Sequence, residues 1–71
     1  MGWIRYIGGG TGQIAVRISY SMNNGKSWQH RNLLPGQSFA IPTGCATLLL
    51  DNIPYDPAGN YEIRNGKIAI K

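Results

Sequence analysis

Apolar side chains recur at every second position along much of this chain. From Gln13 to Tyr20, Ile14, Val16, Ile18 and Tyr20 alternate with Gln13, Ala15, Arg17 and Ser19. That period turns one face of a strand to a core and the other to solvent. Residues 3–7 (WIRYI) are β-branched and aromatic and predict a short first strand, followed by a loop at Gly8 to Gly12. Asn23-Asn24-Gly25 predicts a turn, because Asn and Gly tolerate positive φ. Ser27 to Leu33 returns as a strand, Pro35-Gly36 turns the chain, and Gln37 to Ile41 makes a further short strand ended by Pro42. Thr47 to Ile53 contains three successive leucines and reads as a strand buried on both faces; a short helix is the alternative. Residues 54–60 (PYDPAGN) predict a loop.

The last eleven residues predict a hairpin around Asn65-Gly66. A two-residue loop pairs Arg64 with Lys67, Ile63 with Ile68, Glu62 with Ala69 and Tyr61 with Ile70. Tyr61, Ile63, Ile68 and Ile70 then share one face. The expected fold is all-β, a small sandwich or barrel of roughly five to seven short antiparallel strands, forming one domain over residues 1–71.

Composition narrows the function. At 42% hydrophobic the chain is no disordered tail, and at 14% charged it has fewer ionic residues than most soluble domains. Cys45 is the single cysteine, which excludes an internal disulfide and favours a reducing, cytoplasmic setting. Self-association is the remaining way for so short a chain to add buried area, so a homo-oligomer is expected. No apolar run is long enough to cross a bilayer, and no membrane role is expected. Met1-Gly2 opens like a myristoylation site, but Tyr6 stands where that motif needs Ser or Thr.

Catalytic chemistry finds little support. The acids Asp51, Asp56 and Glu62 are not paired as an acid–base couple would require, and Asp51 and Asp56 lie in turn-forming sequence. One histidine and one cysteine make neither a nucleophile–base–orienter set nor a metal site, so no catalytic residue, metal or cofactor is expected. The glycines at 8–12 could offer backbone N–H groups to an anion, but they lead into a strand rather than a helix N-terminus.

Ser21-Met22-Asn23-Asn24-Gly25-Lys26-Ser27-Trp28 resembles the Asp-box motif, Ser-x-Asp-x-Gly-x-Thr-Trp, with Asn23 for the Asp and Ser27 for the Thr. That motif is a structural hairpin turn of sialidases and other β-propeller proteins. The resemblance covers eight residues and implies a hairpin, without sialidase activity. The register of this hairpin decides what it presents. If Asn24-Gly25 is the loop, Ser19 faces His30, and Trp28 and His30 share the Arg17 face. If Asn23-Asn24-Gly25 is the loop, Ile18 faces His30 and Trp28 joins the core. A slip of one residue exchanges the faces.

Seven Lys and Arg against three acids give a net charge of +4, which suits an anionic partner. The leading expectation is a non-catalytic binding protein for a phosphate-bearing ligand, either single-stranded nucleic acid or a small nucleotide held between subunits. Arg17, Lys26 and Arg31 are the candidates for phosphate, and Trp28 and His30 for base stacking. Arg64 and Lys67, opposed on the last hairpin, form a second cationic site. The alternative is a protein-interaction or assembly subunit anchored by exposed Trp3, Tyr6 and Tyr55. Carbohydrate binding on aromatic platforms is a third reading.

Overall fold

The computed structural model describes residues 2–8 and 14–71. Eight strands run in chain order: β1 (Trp3–Tyr6), β2 (Val16–Ser21), β3 (Gln29–Leu33), β4 (Ser38–Ala40), β5 (Thr47–Leu50), β6 (Ile53–Tyr55), β7 (Asn60–Arg64) and β8 (Lys67–Ile70). They form two four-stranded sheets, ordered β4-β1-β7-β8 and β3-β2-β5-β6. Among the described residues the fold is all-β, and no helix is long and apolar enough to cross a membrane. Most of the predicted glycine loop and the expected strand start at Gln13 lie outside the described residues.

Both sheets face one core. Ile4, Tyr6, Phe39, Tyr61 and Ile63 come from the first sheet, and Val16, Ile18, Leu33, Leu48 and Leu50 from the second. Each is an alternate residue of its strand, as period-two patterning demands. Aromatic contacts tie the layers together. Tyr20 lies 5.5 Å from Phe39, and Tyr55 meets Tyr61 edge-on at 5.3 Å.

Tight turns set the registers. The C-terminal hairpin pairs Arg64 with Lys67 and Tyr61 with Ile70, as its sequence predicts, around Asn65 (φ 50) and Gly66 (φ 74). Two successive positive φ angles make the type I′ turn that matches strand twist. Pro35 and Gly36 (φ 86) form a turn closed by a 3.0 Å bond from the Gln37 N–H to the Leu34 carbonyl.

Several expectations are corrected. Eight strands replace five to seven, and they are not all antiparallel, because β1 pairs with β7 in parallel. The leucine run does not continue to Ile53. Asp51 (φ 48) and Asn52 (φ 66) make another tight turn, and Ile53 returns in β6 together with Pro54 and Tyr55, the first two residues of the expected 54–60 loop. Leu49 lies on the outer face of β5 and is only half-buried. Ile14 is 73% exposed, because β2 begins at Val16 and the backbone at Ile14 serves instead to accept the Tyr6 hydroxyl at 2.7 Å. Ile70 takes its predicted face of β8 yet is 75% exposed, because β6 packs across β7 and leaves the end of β8 uncovered.

Candidate functional site

The β2–β3 hairpin takes the register in which Ser19 faces His30. Its turn matches the Asp-box-like sequence. Asn24 (φ 60) and Gly25 (φ 88) both occupy the left-handed region. The Ser21 hydroxyl accepts from the Asn23 and Gly25 N–H groups at 3.3 and 2.8 Å and donates to Asn23 Oδ1 at 2.9 Å. Asn23 Oδ1 also accepts the Ser27 N–H at 2.9 Å, and Asn23 Nδ2 donates to the Ser27 hydroxyl at 3.0 Å. Asn23 and Ser27, the two departures from the motif, thus keep a closed hydrogen-bond set. Trp28 is outside the core, half-buried, with its ring over Gly25.

This register places Arg17, Ser19, His30 and Asn32 on the outer face of the second sheet. Ser19 is buried, and its hydroxyl shares a 2.9 Å hydrogen bond with His30 Nδ1, which fixes the imidazole plane. Arg17, His30, Arg31 and Asn32 border a shallow depression of about 250 Å³. Its charge is smaller than the sequence suggests. Arg31 is the cross-strand partner of buried Ile18, so its side chain leaves on the core side, with its guanidinium carbon 5.7 Å from the Phe39 ring centre. Lys26 is exposed in the turn. Only Arg17 remains as a guanidinium on this face, and the Asp51 carboxylate accepts its backbone N–H at 3.0 Å.

The first sheet carries the stronger positive surface. Alternation in β1 turns Ile4 and Tyr6 inward and Trp3 and Arg5 outward. Arg5 is in register with Glu62, and Arg64 with Lys67. The Lys71 N–H binds the Asn60 carbonyl at 2.7 Å, extending the same ladder. Arg5, Arg64, Lys67 and Lys71 therefore share one outer face. Glu62 is its only side-chain carboxylate among the described residues, leaving +3 of the side chains' net +4 here. The Arg5 guanidinium carbon lies 4.2 Å from the Trp3 ring centre, a cation–π contact that orders an otherwise mobile side chain.

Glu62 Oε1 lies 3.4 Å from Arg64 Nε and 3.5 Å from Lys71 Nζ. The oxygen is buried, and neither contact has hydrogen-bond geometry. Asn60 Oδ1, two residues away on the same strand face, is likewise buried without a donor. With strands about 4.8 Å apart and about 3.3 Å per residue, the cations cover roughly 10 Å across the sheet and 13 Å along β8. Arg64 and Lys67 were legible from the last hairpin. Arg5 and Lys71 were missed, and Trp3 was read only as an assembly anchor, although the alternation of WIRY already puts Trp3 beside Arg5 on one side of β1.

The exposed aromatic anchors expected for an assembly role are not exposed. Tyr6 is buried, Trp3 is half-buried beside Arg5, and Tyr55 is half-buried against Tyr61. Burial, and then the nearby Asp56 carboxylate, push the Tyr61 hydroxyl above the usual tyrosine range, while it donates to the Asp56 carbonyl at 2.7 Å. Cys45 is half-buried, with Sγ donating to the Thr47 carbonyl at 3.3 Å. Among the described residues no three His, Cys, Asp or Glu side chains gather as metal ligands. Comparison with protein-family models, with curated proteins and with solved structures finds no match to this chain.

Proposed function

We propose that this two-sheet domain, a small β-sandwich, is a non-catalytic binding module for single-stranded nucleic acid. One observation carries the reading: Arg5, Arg64, Lys67 and Lys71 share an outer sheet face with a single carboxylate. A spread of roughly 10 by 13 Å meets several successive phosphates, which favours an oligonucleotide over a nucleotide held between subunits. Arg5, stacked on Trp3, supplies a planar donor set suited to phosphate. Arg17, His30 and Asn32 on the opposite sheet form a weaker polar shelf, with Trp28 at its turn. The lone Cys45 suits a reducing compartment such as the cytoplasm.

The test is fluorescence anisotropy with a labelled oligothymidylate across a salt series. Each phosphate neutralised on a single strand contributes a slope of about −0.7 in log affinity against log salt, so three to four contacts give about −2 to −3. Arg5→Glu with Lys67→Glu should abolish binding, while Arg17→Glu should weaken it only modestly. Binding that ignores the double change but fails on Arg17→Glu moves the site to the β2–β3 hairpin. No binding at low salt refutes the reading.

A second reading, an assembly subunit, draws on exposed Ile14, Ile53 and Ile70. It predicts self-association that is insensitive to salt and needs no ligand, which native mass spectrometry would detect.

A further inference from the structure

The two sides of the core are finished differently. On the side of β3 and β4, Tyr20 packs on Phe39 and the Arg31 guanidinium lies over the same ring. On the side of β6 and β8 the apolar surface stays open. Ile68 is half-buried, Ile53 is 55% exposed and Ile70 is 75% exposed. All three point to the core side of their strands, since Ile53 pairs with Leu50, Ile68 with Ile63 and Ile70 with Tyr61.

The two strands that border this opening differ as templates. In β6, Pro54 lies opposite Leu49, next to the Leu50–Ile53 pair that closes the turn. Antiparallel pairs alternate between bonded and non-bonded, so the outward position on β6 falls to a residue with no N–H, a usual edge defence. In β8 the Asn65-Gly66 turn makes 64/67, 62/69 and 60/71 the bonded pairs, consistent with the Lys71-to-Asn60 bond at 2.7 Å. The N–H and C=O groups of Ile68 and Ile70 therefore point away from β7. β8 offers backbone that is unpaired among the described residues, isoleucines on one face, and Lys67 and Lys71 on the other.

We infer that β8 accepts an added strand from a partner peptide whose side chains alternate between apolar and acidic. Its backbone pairs with Ile68 and Ile70, its apolar side chains cover Ile68, Ile70 and Ile53, and its carboxylates meet Lys67 and Lys71. Charge selects this occupant over a second copy of the chain. Antiparallel β8–β8 pairing centred on Ala69 sets Lys67 against Lys71 twice, and like charges opposed across a ladder destabilise it. Strand addition draws affinity from main-chain bonds and specificity from alternate side chains.

The probe is the capped peptide Val-Glu-Val-Glu-Val-Glu-Val, with a lysine counterpart in place of each Glu, followed by amide NMR and hydrogen exchange on the full chain. The acidic peptide should shift and protect the Ile68 and Ile70 amides, and the lysine peptide should bind at least about tenfold more weakly. Ile70→Pro removes an outward N–H and should abolish binding. Lys67→Glu with Lys71→Glu, both exposed positions, should invert the preference and keeps the test valid if the proline variant does not fold. Three results overturn the inference: no perturbation at about 1 mM peptide, equal binding of both peptides, or peptide-free, concentration-dependent protection of Ile68 and Ile70. Arg5→Glu alone, which leaves Lys67 and Lys71 in place, should weaken oligonucleotide binding and spare peptide binding, so failure of one proposal leaves the other standing.

Discussion

Glu62→Gln should strengthen anion binding. The carboxylate sits among the cations of the proposed face, with Arg64 Nε and Lys71 Nζ at 3.4 and 3.5 Å and Arg5 in register on the neighbouring strand. A phosphate on Arg64 and Lys67 would lie about 7 Å from it, where two like charges repel by about 0.6 kcal/mol in a water-like dielectric. Two phosphates within that reach bring the total to about 1.2 kcal/mol, roughly eightfold in affinity, and screening at about 0.1 M salt reduces this to about threefold. The change costs the fold little. Although Glu62 itself is largely buried, its partners Arg64 and Lys71 are exposed, so the pairs contribute about 1 kcal/mol, and Glu62 Oε1 has no hydrogen-bond donor to lose. The assay is oligothymidylate anisotropy at two salt concentrations, with the melting temperature as a folding control. Asp51→Asn makes the same charge change on the opposite sheet, beside the Arg17 backbone. If Asp51→Asn strengthens binding and Glu62→Gln does not, the first-sheet face is not the site.

Other perturbations test the scaffold. Ser21→Ala leaves the Asn23 and Gly25 N–H groups without their acceptor; it should cost about 2 kcal/mol, read as a fall of about 10 °C in melting temperature. Tyr61→Phe removes the hydroxyl bond to the Asp56 carbonyl and should cost about 1 kcal/mol at neutral pH. Because the folded state raises the Tyr61 pKa, this group's contribution is complete below the unfolded value near 10 and is lost as pH rises through that value toward the folded one. The alkaline fall in stability should therefore be shallower in the phenylalanine variant, as denaturant titrations from pH 8 to 11 would show. Gly59→Ala places a methyl against the Tyr61 hydroxyl and 2.7 Å from its ring carbon Cζ; chemical denaturation should register a loss of about 1–3 kcal/mol.

What was legible in the sequence was local. The Asn65-Gly66 hairpin could be read to its register because an Asn-Gly pair accepts two positive φ angles and alternation then fixes every facing pair. The turn at Asp51-Asn52 obeys the same geometry, but it sits behind three leucines that read as a single run. Trp28 could not be assigned by pattern, since its side depended on whether Asn23 joined the loop, and the Ser21–Asn23–Ser27 hydrogen bonds decided it. Arg31 looked like a partner of Arg17, yet pairing with Ile18 sends it to the other face. The basic face was hidden because its members come from β1, β7 and β8, and nothing local announces that β1 lies beside β7.

That parallel pairing also governs the order in which the chain folds. Ile4 lies against Tyr61, so the two partners are 57 positions apart (61 − 4). β1 is an inner strand of its sheet, flanked by β4 and β7. Hairpins such as β2–β3, β5–β6 and β7–β8 close short loops and can form within about microseconds. Joining β1 to β7 requires a far longer closure, which slows folding in proteins dominated by distant contacts. During synthesis β1 emerges first yet waits for β7 before its second ladder can form, so its Ile4 and Tyr6 are the core side chains that spend longest exposed on the nascent chain.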